Sequence, residues 1–459
     1  MTADTPQALV EHALATSTSE RCIVIVQDST SANLRWANNT LTTNGVMNSV
    51  EVSVITFHGA GNASVSGTAA STEQVTALVE QADAGARAAH PAEDAAELVS
   101  APAVADWDEA PVDTSVEVYR DFAATLGKEF GRAEAEGRIL YGFVNHEMTT
   151  TYVGSSTGLR LRHVQPTGHY GCTGKPADLS DSAWVGGATR DFSDVSARQI
   201  AEDVATRLSW GSRRIDLPAG RYDTVLPPSS VADLMIDAYW SAGARVAHEG
   251  QSVYSRHGGG TRIGDEIVDP RVTLFSDPAY ANLECAPFVV ASGSSNESSV
   301  YDNGLPLSRT PWIDRGVLAS LIQTRYTATM TGQPVTSGID NLILDVSGGS
   351  GTDQDLVAGV QDGLLLTCLW YIREVDPQTL LLTGLTRDGV YRVEGGEITG
   401  VVNNFRFNES PVDLLRRFTA AGTTVPSFSR EWGDDYFSRT ATPALRIPDF
   451  NMSSVSQAL

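Results

Sequence analysis

The hydrophobic pattern of this chain changes once, near the segment LPAG at Leu217–Gly220. Before it, strand patterns and helical patterns alternate along the sequence. After it, short strand patterns and glycine-rich turns dominate. A segment with Pro and Gly between two such regions is typical of a linker. The sequence therefore predicts an α+β protein, with a mixed α/β N-terminal domain at residues 1–212 and a β-rich C-terminal domain at residues 213–459.

The N-terminal region contains both kinds of element. Its predicted helices are 7–15, a segment that begins after Ser71 in a possible capping box with Gln74, 116–136 and 197–210. Its main predicted strands are 22–27, 50–57, 139–148 and 159–169. A turn is predicted at Asn44-Gly45, and the proline-containing residues 91–114 are predicted to form an exposed loop.

The C-terminal region begins with a predicted strand at 222–226 and a helix at 230–248. Further along the chain, helical patterns are found only at 353–361 and 411–421. The rest of the region reads as short strands joined by turns, so we expect its core to lie between sheets.

The charge of the chain argues against several functions. Its 459 residues include 32 Lys and Arg against 56 Asp and Glu, a formal net charge of −24 at pH 7. A nucleic-acid groove depends on clustered basic residues, and the sequence contains no such cluster. The longest apolar runs, 22–26 and 364–372, are shorter than the ~18 residues of a membrane span. No signal peptide is read at the N-terminus.

The cysteines indicate a reducing compartment. They lie far apart without a C-x-x-C pair, which argues against a zinc ribbon or a disulfide scaffold: Cys22, Cys172, Cys285 and Cys368. Free thiols in the cytoplasm are the simplest interpretation. Cys368 stands in a strongly apolar run, where a thiol is usually an inert core group with a raised pKa.

His248 and Glu249 are the candidates for catalysis. A zinc metalloprotease helix carries H-E-x-x-H, in which the second imidazole follows four residues after the first and the glutamate activates water. Here the fourth residue on is Ser252, and the next histidine is His257, just before Gly258–Gly260. The motif is incomplete, and a surface His-Glu pair at a helix C-terminus is the alternative interpretation.

Other motifs give no complete site. The glycine runs 258–260 and 348–351 lack both G-K-[ST] and G-x-G-x-x-G, so they are predicted as turns. The second run precedes a predicted helix, which leaves an anion-binding nest geometrically possible. No G-x-S-x-G elbow occurs. Local motifs therefore assign neither cofactor-binding residues nor metal ligands to this chain.

The order of several segments resembles the TldD/PmbA family, whose members form the TldD–TldE metallopeptidase complex. The matching segments are LPAGRYDTVLPP at 217–228, FSDP at 275–278, YDNGLP at 301–306, DRGVL at 314–318, DGLLLT at 362–367, VEGGE at 393–397, RWANN at 35–39 and GSSTG at 154–158. Together they extend over nearly the whole chain. The resemblance implies a mixed N-terminal domain followed by a β-rich C-terminal domain.

The resemblance also implies a choice of subunit. TldD-like members carry H-E-x-x-x-H and a distant cysteine as zinc ligands. In this chain the fifth residue after His248 is Val253, and residues 386–400 contain no cysteine. The chain therefore resembles the TldE (PmbA) type, which implies no cofactor of its own. It would pair with a TldD-like catalytic subunit that holds zinc, and would assist the processing of unfolded peptide substrates.

Two alternatives remain open at this point. The first is a self-sufficient metal-dependent hydrolase, in which folding brings His248 and Glu249 together with His257 or Cys368. The second is a non-enzymatic binding protein without a peptidase partner. Zinc bound by the purified chain alone would favour the first alternative, and a stable chain that recruits no family member would favour the second.

Overall fold

The computed structural model describes residues 4–433 and 437–456, and it is an α+β protein. The helices of the described residues are α1 Pro6–Thr16, α2 Thr72–Ala88, α3 Arg120–Ala135, α4 Ala197–Ser209, α5 Pro228–Trp240, α6 Ala244–His248, α7 Arg325–Thr331, α8 Asp353–Ala358 and α9 Pro411–Arg417.

The strands of the first half are β1 Arg21–Ala37, β2 Thr40–His58, β3 Gly61–Thr68, β4 Arg138–Ser155, β5 Arg160–Pro176 and β6 Ala183–Thr189. Those that follow are β7 Arg214–Ile215, β8 Gly220–Leu226, β9 Val272–Ser276, β10 Thr310–Asp314, β11 Val317–Leu318, β12 Leu342–Val346, β13 Asp362–Leu366, β14 Leu369–Asp376, β15 Leu381–Thr386, β16 Val390–Glu394, β17 Glu397–Val402, β18 Phe405–Glu409, β19 Ala420–Ala421, β20 Val425–Ser427, β21 Thr440–Thr442 and β22 Leu445–Val455.

The first six strands form one antiparallel sheet in the order β3-β2-β1-β4-β5-β6. Its strands are long, and side chains two residues apart on β1 point to the same face, so the even-numbered side chains share one face. Ala32, Leu34 and Trp36 pack in a core with residues of α3 and α4, whereas Val24 and Val26 pack with residues of α1 and α2. Helices α1 to α4 therefore cover the same face of this sheet through two separate clusters.

The later strands form two further sheets. One has the order β11-β10-β9-β12-β21-β20, and the other has the order β14-β15-β18-β22-β8-β13-β16-β17-β7 with β19 beside β22. The largest apolar cluster of the described residues lies here and includes one face of α5 with Leu234, Met235 and Ala238. A division of the chain at residue 212 stays a prediction, although each sheet takes its strands from one side of that position.

Most predicted helices of the N-terminal region are confirmed, with small shifts at their ends. The Ser71 hydroxyl accepts a hydrogen bond from the Gln74 backbone N–H, as expected for an N-cap. Residues 91–114 contain no regular helix or strand, but Leu98 and Trp107 are buried. The loop prediction is therefore confirmed and many of its residues are exposed, but Leu98 and Trp107 anchor it in apolar clusters.

The turn predicted at Asn44-Gly45 is wrong. These two residues lie inside β2, and the β1–β2 hairpin turns instead at Asn38-Asn39, which have φ of 49° and 56°. Two consecutive positive φ angles suit a tight hairpin turn, and asparagine tolerates them better than most residues. The Asn39 side chain also donates to the Arg138 carbonyl at 2.8 Å and accepts from the Leu140 N–H at 2.7 Å, which fixes the turn against β4.

The single helix predicted at 230–248 is also wrong. It is divided into α5 and α6, because the backbone between them pairs with another segment. The Ile322 N–H donates to the Ala242 carbonyl at 2.7 Å, and the Ala244 N–H donates to the Ile322 carbonyl at 2.9 Å. The prediction also missed α7, whose seven residues carry little apolar periodicity.

None of the helices in the described residues combines the length and the apolar character that a membrane crossing requires. The helices after α4 are short, and the longest of them is α5 with 13 residues. This helix places the carboxylates described next.

Candidate functional site: a carboxylate pair on helix α5

Helix α5 carries two aspartates in an otherwise apolar sequence. It begins at Pro228, whose ring favours the first helical position, and its apolar side chains enter the main core of the β-rich region. Asp233 and Asp237 are four residues apart, so both lie on one face of the helix. Asp233 is only 1% exposed, and Asp237 is half-buried.

The carboxylate of Asp233 is held by the segment that follows β20. Its Oδ1 accepts a hydrogen bond from the Ser429 hydroxyl at 2.5 Å and another from the Glu431 backbone N–H at 3.0 Å. The Trp432 indole donates to the Asp233 carbonyl at 3.2 Å. The Oδ2 atoms of Asp233 and Asp237 are buried without a hydrogen-bond partner among the described residues.

Burial controls the electrostatics of the pair. Desolvation raises the pKa of Asp233 to about 7, although the hydrogen bonds from Ser429 and Glu431 act in the opposite direction. Desolvation also raises the pKa of Asp237 to about 7. A hydrogen bond from the Trp432 side chain acts in the opposite direction, and the nearby charges of Asp233, Glu374 and Glu431 act in the same direction as desolvation. Near neutral pH the pair therefore binds protons that ordinary aspartates would release.

Arg430 supplies positive charge beside these acids. Its guanidinium lies 4.4 Å from the ring centre of Trp370 and 5.1 Å from that of Trp184. Its charge lowers the pKa of Asp233, against the larger effect of burial. Since Trp184 belongs to β6 and Trp370 to β14, this cation joins the first sheet to the ten-stranded sheet.

Glu431 fixes the other side of the same segment. Its carboxylate oxygens accept hydrogen bonds from the backbone N–H groups of Tyr371 and Ile372, each at 3.0 Å. Tyr371 has a φ of 57°, an uncommon value for a residue with a bulky side chain. The acceptor pair thus holds β14 in a strained local conformation beside α5.

The aspartate pair was not among the residues that the sequence predicted as a site. Its signal was present as two aspartates at positions i and i+4 within the apolar sequence VADLMIDAYW. Because solvent does not reach Asp233, its carboxyl group is suited to holding a proton rather than to contacting a substrate. The pair is a perturbed acidic centre of the fold, which is one mark of a functional region.

The structure places His248 and Glu249 elsewhere. His248 is the last residue of α6 and is half-buried, and the Gly260 N–H donates to its carbonyl at 3.2 Å. Glu249 is exposed and forms a 3.2 Å ion pair with Arg245. His257 is exposed on the following loop. These positions match a surface His-Glu pair at a helix C-terminus.

The residues after His248 do not fit a zinc ion. Ser252 is buried, and its hydroxyl accepts a hydrogen bond from the Tyr254 N–H at 3.1 Å. Val253 packs in the main core. In residues 4–433 and 437–456, no group of three or more His, Cys, Asp or Glu side chains could hold a metal ion.

The cysteines are core residues. All four thiols are buried and free, and burial raises the pKa of each of them. Cys368 is 1% exposed between β13 and β14. Such thiols are poor nucleophiles, because the thiolate form is disfavoured.

The glycine run before α8 is a turn with an acid already at the helix end. The Thr352 hydroxyl accepts from the Asp355 N–H at 3.3 Å, and the Asp355 carboxylate accepts from the Thr352 N–H at 2.8 Å. This capping box satisfies the first donors of the helix. The nest considered from the sequence therefore has a carboxylate of the chain itself at its centre.

Comparisons with known proteins place these features in a family. Residues 219–454 match the family model described as PmbA/TldA metallopeptidase C-terminal domain. That range contains 236 of the 459 residues, which is just over half of the chain. No curated protein matches the sequence.

Solved structures resemble the chain over nearly its whole length. TldE from Thermococcus kodakarensis has a TM-score of 0.74 at 15% identity, covering 97% of this chain and 99% of that one. A putative modulator of a DNA gyrase from Thermotoga maritima has a TM-score of 0.76 at 16% identity, with coverage of 97% and 100%. A putative modulator of DNA gyrase from Bacteroides thetaiotaomicron has a TM-score of 0.74 at 14% identity, with coverage of 98% of each chain. These likenesses establish the fold. Because the family model matches more than half of the sequence, the chain belongs to the TldD/PmbA family of metallopeptidase-type proteins.

Proposed function

We propose that this chain is the TldE-like subunit of a TldD–TldE-type metallopeptidase, and that a TldD-like partner supplies the zinc. The observation that carries the proposal is the environment after His248. Ser252 is committed to a backbone hydrogen bond and Val253 to the core, so the positions where a zinc helix needs its second imidazole have other roles. The full-length likeness to a protein named TldE supports the same assignment.

The substrate in this proposal is an unfolded peptide. Strand β2 pairs with β1 over nearly its whole length, whereas β3 pairs only with residues from Glu51 to His58. In the described part of the chain, the outer edge of residues 40–49 therefore has no neighbouring strand, whereas the Val50 carbonyl already accepts from the Ala69 N–H at 3.0 Å. An extended peptide can add to such an edge through backbone hydrogen bonds, which tolerate many sequences. Residues 40–49 carry no charge, so they do not repel a peptide of either sign.

Co-expression with a TldD-like protein from the same source tests the proposal. We expect the two chains to co-elute, zinc to be bound by the partner, and cleavage of an unfolded peptide to require both chains. His248→Ala in this chain should leave cleavage unchanged, as should Glu80→Gln on the exposed side of α2, which serves as the matched control.

Two results would contradict the proposal. Stoichiometric zinc in this chain alone, with activity abolished by His248→Ala, would identify a self-sufficient hydrolase. If this chain does not associate with the TldD-like protein, and that protein cleaves the peptide equally well without it, the remaining interpretation is a non-enzymatic binding protein.

A further inference from the structure

A cavity of about 290 Å³ lies beside the C-terminal end of α5. One water molecule occupies about 30 Å³ in the liquid, so the cavity has the volume of roughly ten water molecules. That volume is enough for one long side chain. Its walls come from α5, the segment 286–302, residues near Ile322 and the segment 337–340, with Phe437 closing one side. Neither lysine nor arginine is among the described residues that line it.

Aromatic rings form much of the wall. Tyr239, Trp240, Phe288 and Phe437 all line the cavity. The Tyr239 hydroxyl donates to the Ile339 carbonyl at 2.9 Å and accepts from the Ile339 N–H at 2.7 Å, so the wall opposite α5 is fixed. Trp240 is 40% exposed, which places its ring where a ligand entering from solvent can reach it.

Three carboxylate residues line the cavity, Glu297, Asp302 and Asp340, and the last of them is exposed. The other two differ in their partners. Asp302 is buried and has its own cation, because its Oδ1 lies 2.6 Å from Arg325 Nε and its Oδ2 accepts from the Arg325 N–H at 3.1 Å. Glu297 is half-buried, and its carboxylate accepts a long 3.5 Å hydrogen bond from the Ser295 hydroxyl and another from its own backbone N–H. No described Lys, Arg or His lies within ion-pair distance of it.

The position of Glu297 is fixed by its surroundings. A methyl group built on Gly243 would lie 2.6 Å from Glu297 Oε1, so the carboxylate occupies the space that a side chain at Gly243 would need. The loop that carries it is held by Asp94, which accepts hydrogen bonds from Ser294 at 2.6 Å and Ser299 at 2.7 Å. Desolvation raises the pKa of Glu297, a cost that a bound cation would offset.

We propose that this cavity binds the cationic side chain of a lysine or arginine residue in a peptide, with Glu297 as the counter-ion and the aromatic wall around the alkyl chain and the charge. Aromatic faces attract cations, and a half-buried carboxylate without a cationic partner adds a directed ion pair. The peptide as carrier rests on the proposed function. The selection of a cation rests only on the cavity.

The test uses the full chain alone and two probes that differ in their charge. N-acetyl-lysine N-methylamide carries the ammonium group, and N-acetyl-norleucine N-methylamide is the neutral analogue. By isothermal titration we expect the lysine probe to bind about tenfold more tightly, a factor that corresponds to roughly 1.4 kcal/mol. Equal affinity of the two probes for the unmodified chain would overturn the proposal without any variant.

Two variants locate the charge. Glu297→Gln should remove the preference for lysine and leave the norleucine affinity unchanged, whereas the control Glu80→Gln should change neither. Gly243→Ala should also weaken the lysine preference, because its methyl group displaces the Glu297 carboxylate. A lysine preference that survives Glu297→Gln would overturn the assignment.

The outcome is separable from that of the proposed function. If the chain prefers the lysine probe in a Glu297-dependent way but never pairs with a TldD-like protein, the cation site is supported and the proposed subunit role is contradicted. Co-elution and cleavage together with equal binding of the two probes would do the reverse.

Discussion

Helices α5 and α6 follow one another in the chain, but the ionisable side chains of α5 are withdrawn from solvent more than those at the end of α6. The carboxylates of α5, Asp233 and Asp237, turn inward, and burial raises the pKa of each to about 7. On α6, Glu249 is exposed beside Arg245, and His248 ends the helix. The residues that look most catalytic in the sequence are therefore not the residues whose chemistry the fold perturbs most.

The difference shows that the environment of an ionisable side chain affects its proton affinity as much as its residue type does. His248 is half-buried and Glu249 is exposed at the end of α6, so both side chains keep contact with water. A pair of ordinary aspartates acquires unusual proton affinity because helix α5 is packed on several sides.

The largest expected effect is on the pH dependence of stability. In the unfolded chain the two carboxyl groups have the ordinary aspartate pKa of 3.8, whereas in the folded chain Asp233 and Asp237 keep their protons up to about pH 7. The folded state therefore loses stability as pH rises from about 4 to about 7. Urea unfolding measures the free energy of unfolding at pH 5 and at pH 8. Its decrease between these pH values should be larger by several kcal/mol in the unmodified chain than in the double variant Asp233→Asn, Asp237→Asn. Parallel pH profiles of the two proteins would contradict the buried acidic pair.

Removal of the Asp233 carboxyl group should destabilise the fold at a fixed pH. Asp233→Ala leaves the Ser429 hydroxyl and the Glu431 N–H without their acceptor, and we expect a loss of about 2 kcal/mol in the free energy of unfolding. Asp108→Ala, at an exposed aspartate of the 91–114 loop, is the control and should change stability by less than about 0.5 kcal/mol. Similar effects of the two variants would show that Asp233 is not held as described.

A smaller effect is expected for Arg430→Met. The variant loses the contacts of the guanidinium with Trp370 and Trp184, which we expect to cost about 1 kcal/mol of stability. It also removes a charge that lowers the pKa of Asp233, so the pKa of that carboxyl should rise further. Urea unfolding across the pH range measures both effects. An unchanged profile would mean that Arg430 acts only through packing.

The smallest effect is expected on α6. His248→Ala should change the free energy of unfolding by less than about 0.5 kcal/mol, because its ring is half-exposed at a helix end. The zinc content of the purified chain, measured by mass spectrometry of the metal, should be the same before and after the substitution. A zinc content that falls on substitution would restore His248 as a ligand.

The elements that the sequence predicted well are those with a local signal. Helices α1, α2 and α4 follow apolar periodicity, and Ser71 forms the expected cap. The turn at Asn38-Asn39 was missed because Asn44-Gly45 is the stronger local signal, yet the pairing of β1 with both β2 and β4 determines where the hairpin reverses. The break between α5 and α6 depends on Ile322, which no local pattern reveals.

The candidate site was less accessible from the sequence than the fold. The incomplete motif after His248 could be read directly, since it depends on which residues stand at fixed positions. The perturbed pair could not, because Ser429 lies 196 positions from Asp233 and brings its hydroxyl to that carboxylate only through the arrangement of the sheets. The cavity at Glu297 likewise joins segments from residue 239 to residue 437.

Hydrophobic periodicity and residue spacing, which act over a few turns or strands, were enough to determine the α+β class, the order of most elements and the lack of a complete zinc-binding motif. The tertiary structure decided which carboxylates lose water and which keep a cation. Desolvation depends on everything packed around a side chain, and for Asp233, Asp237 and Glu297 those neighbours come from distant parts of the chain.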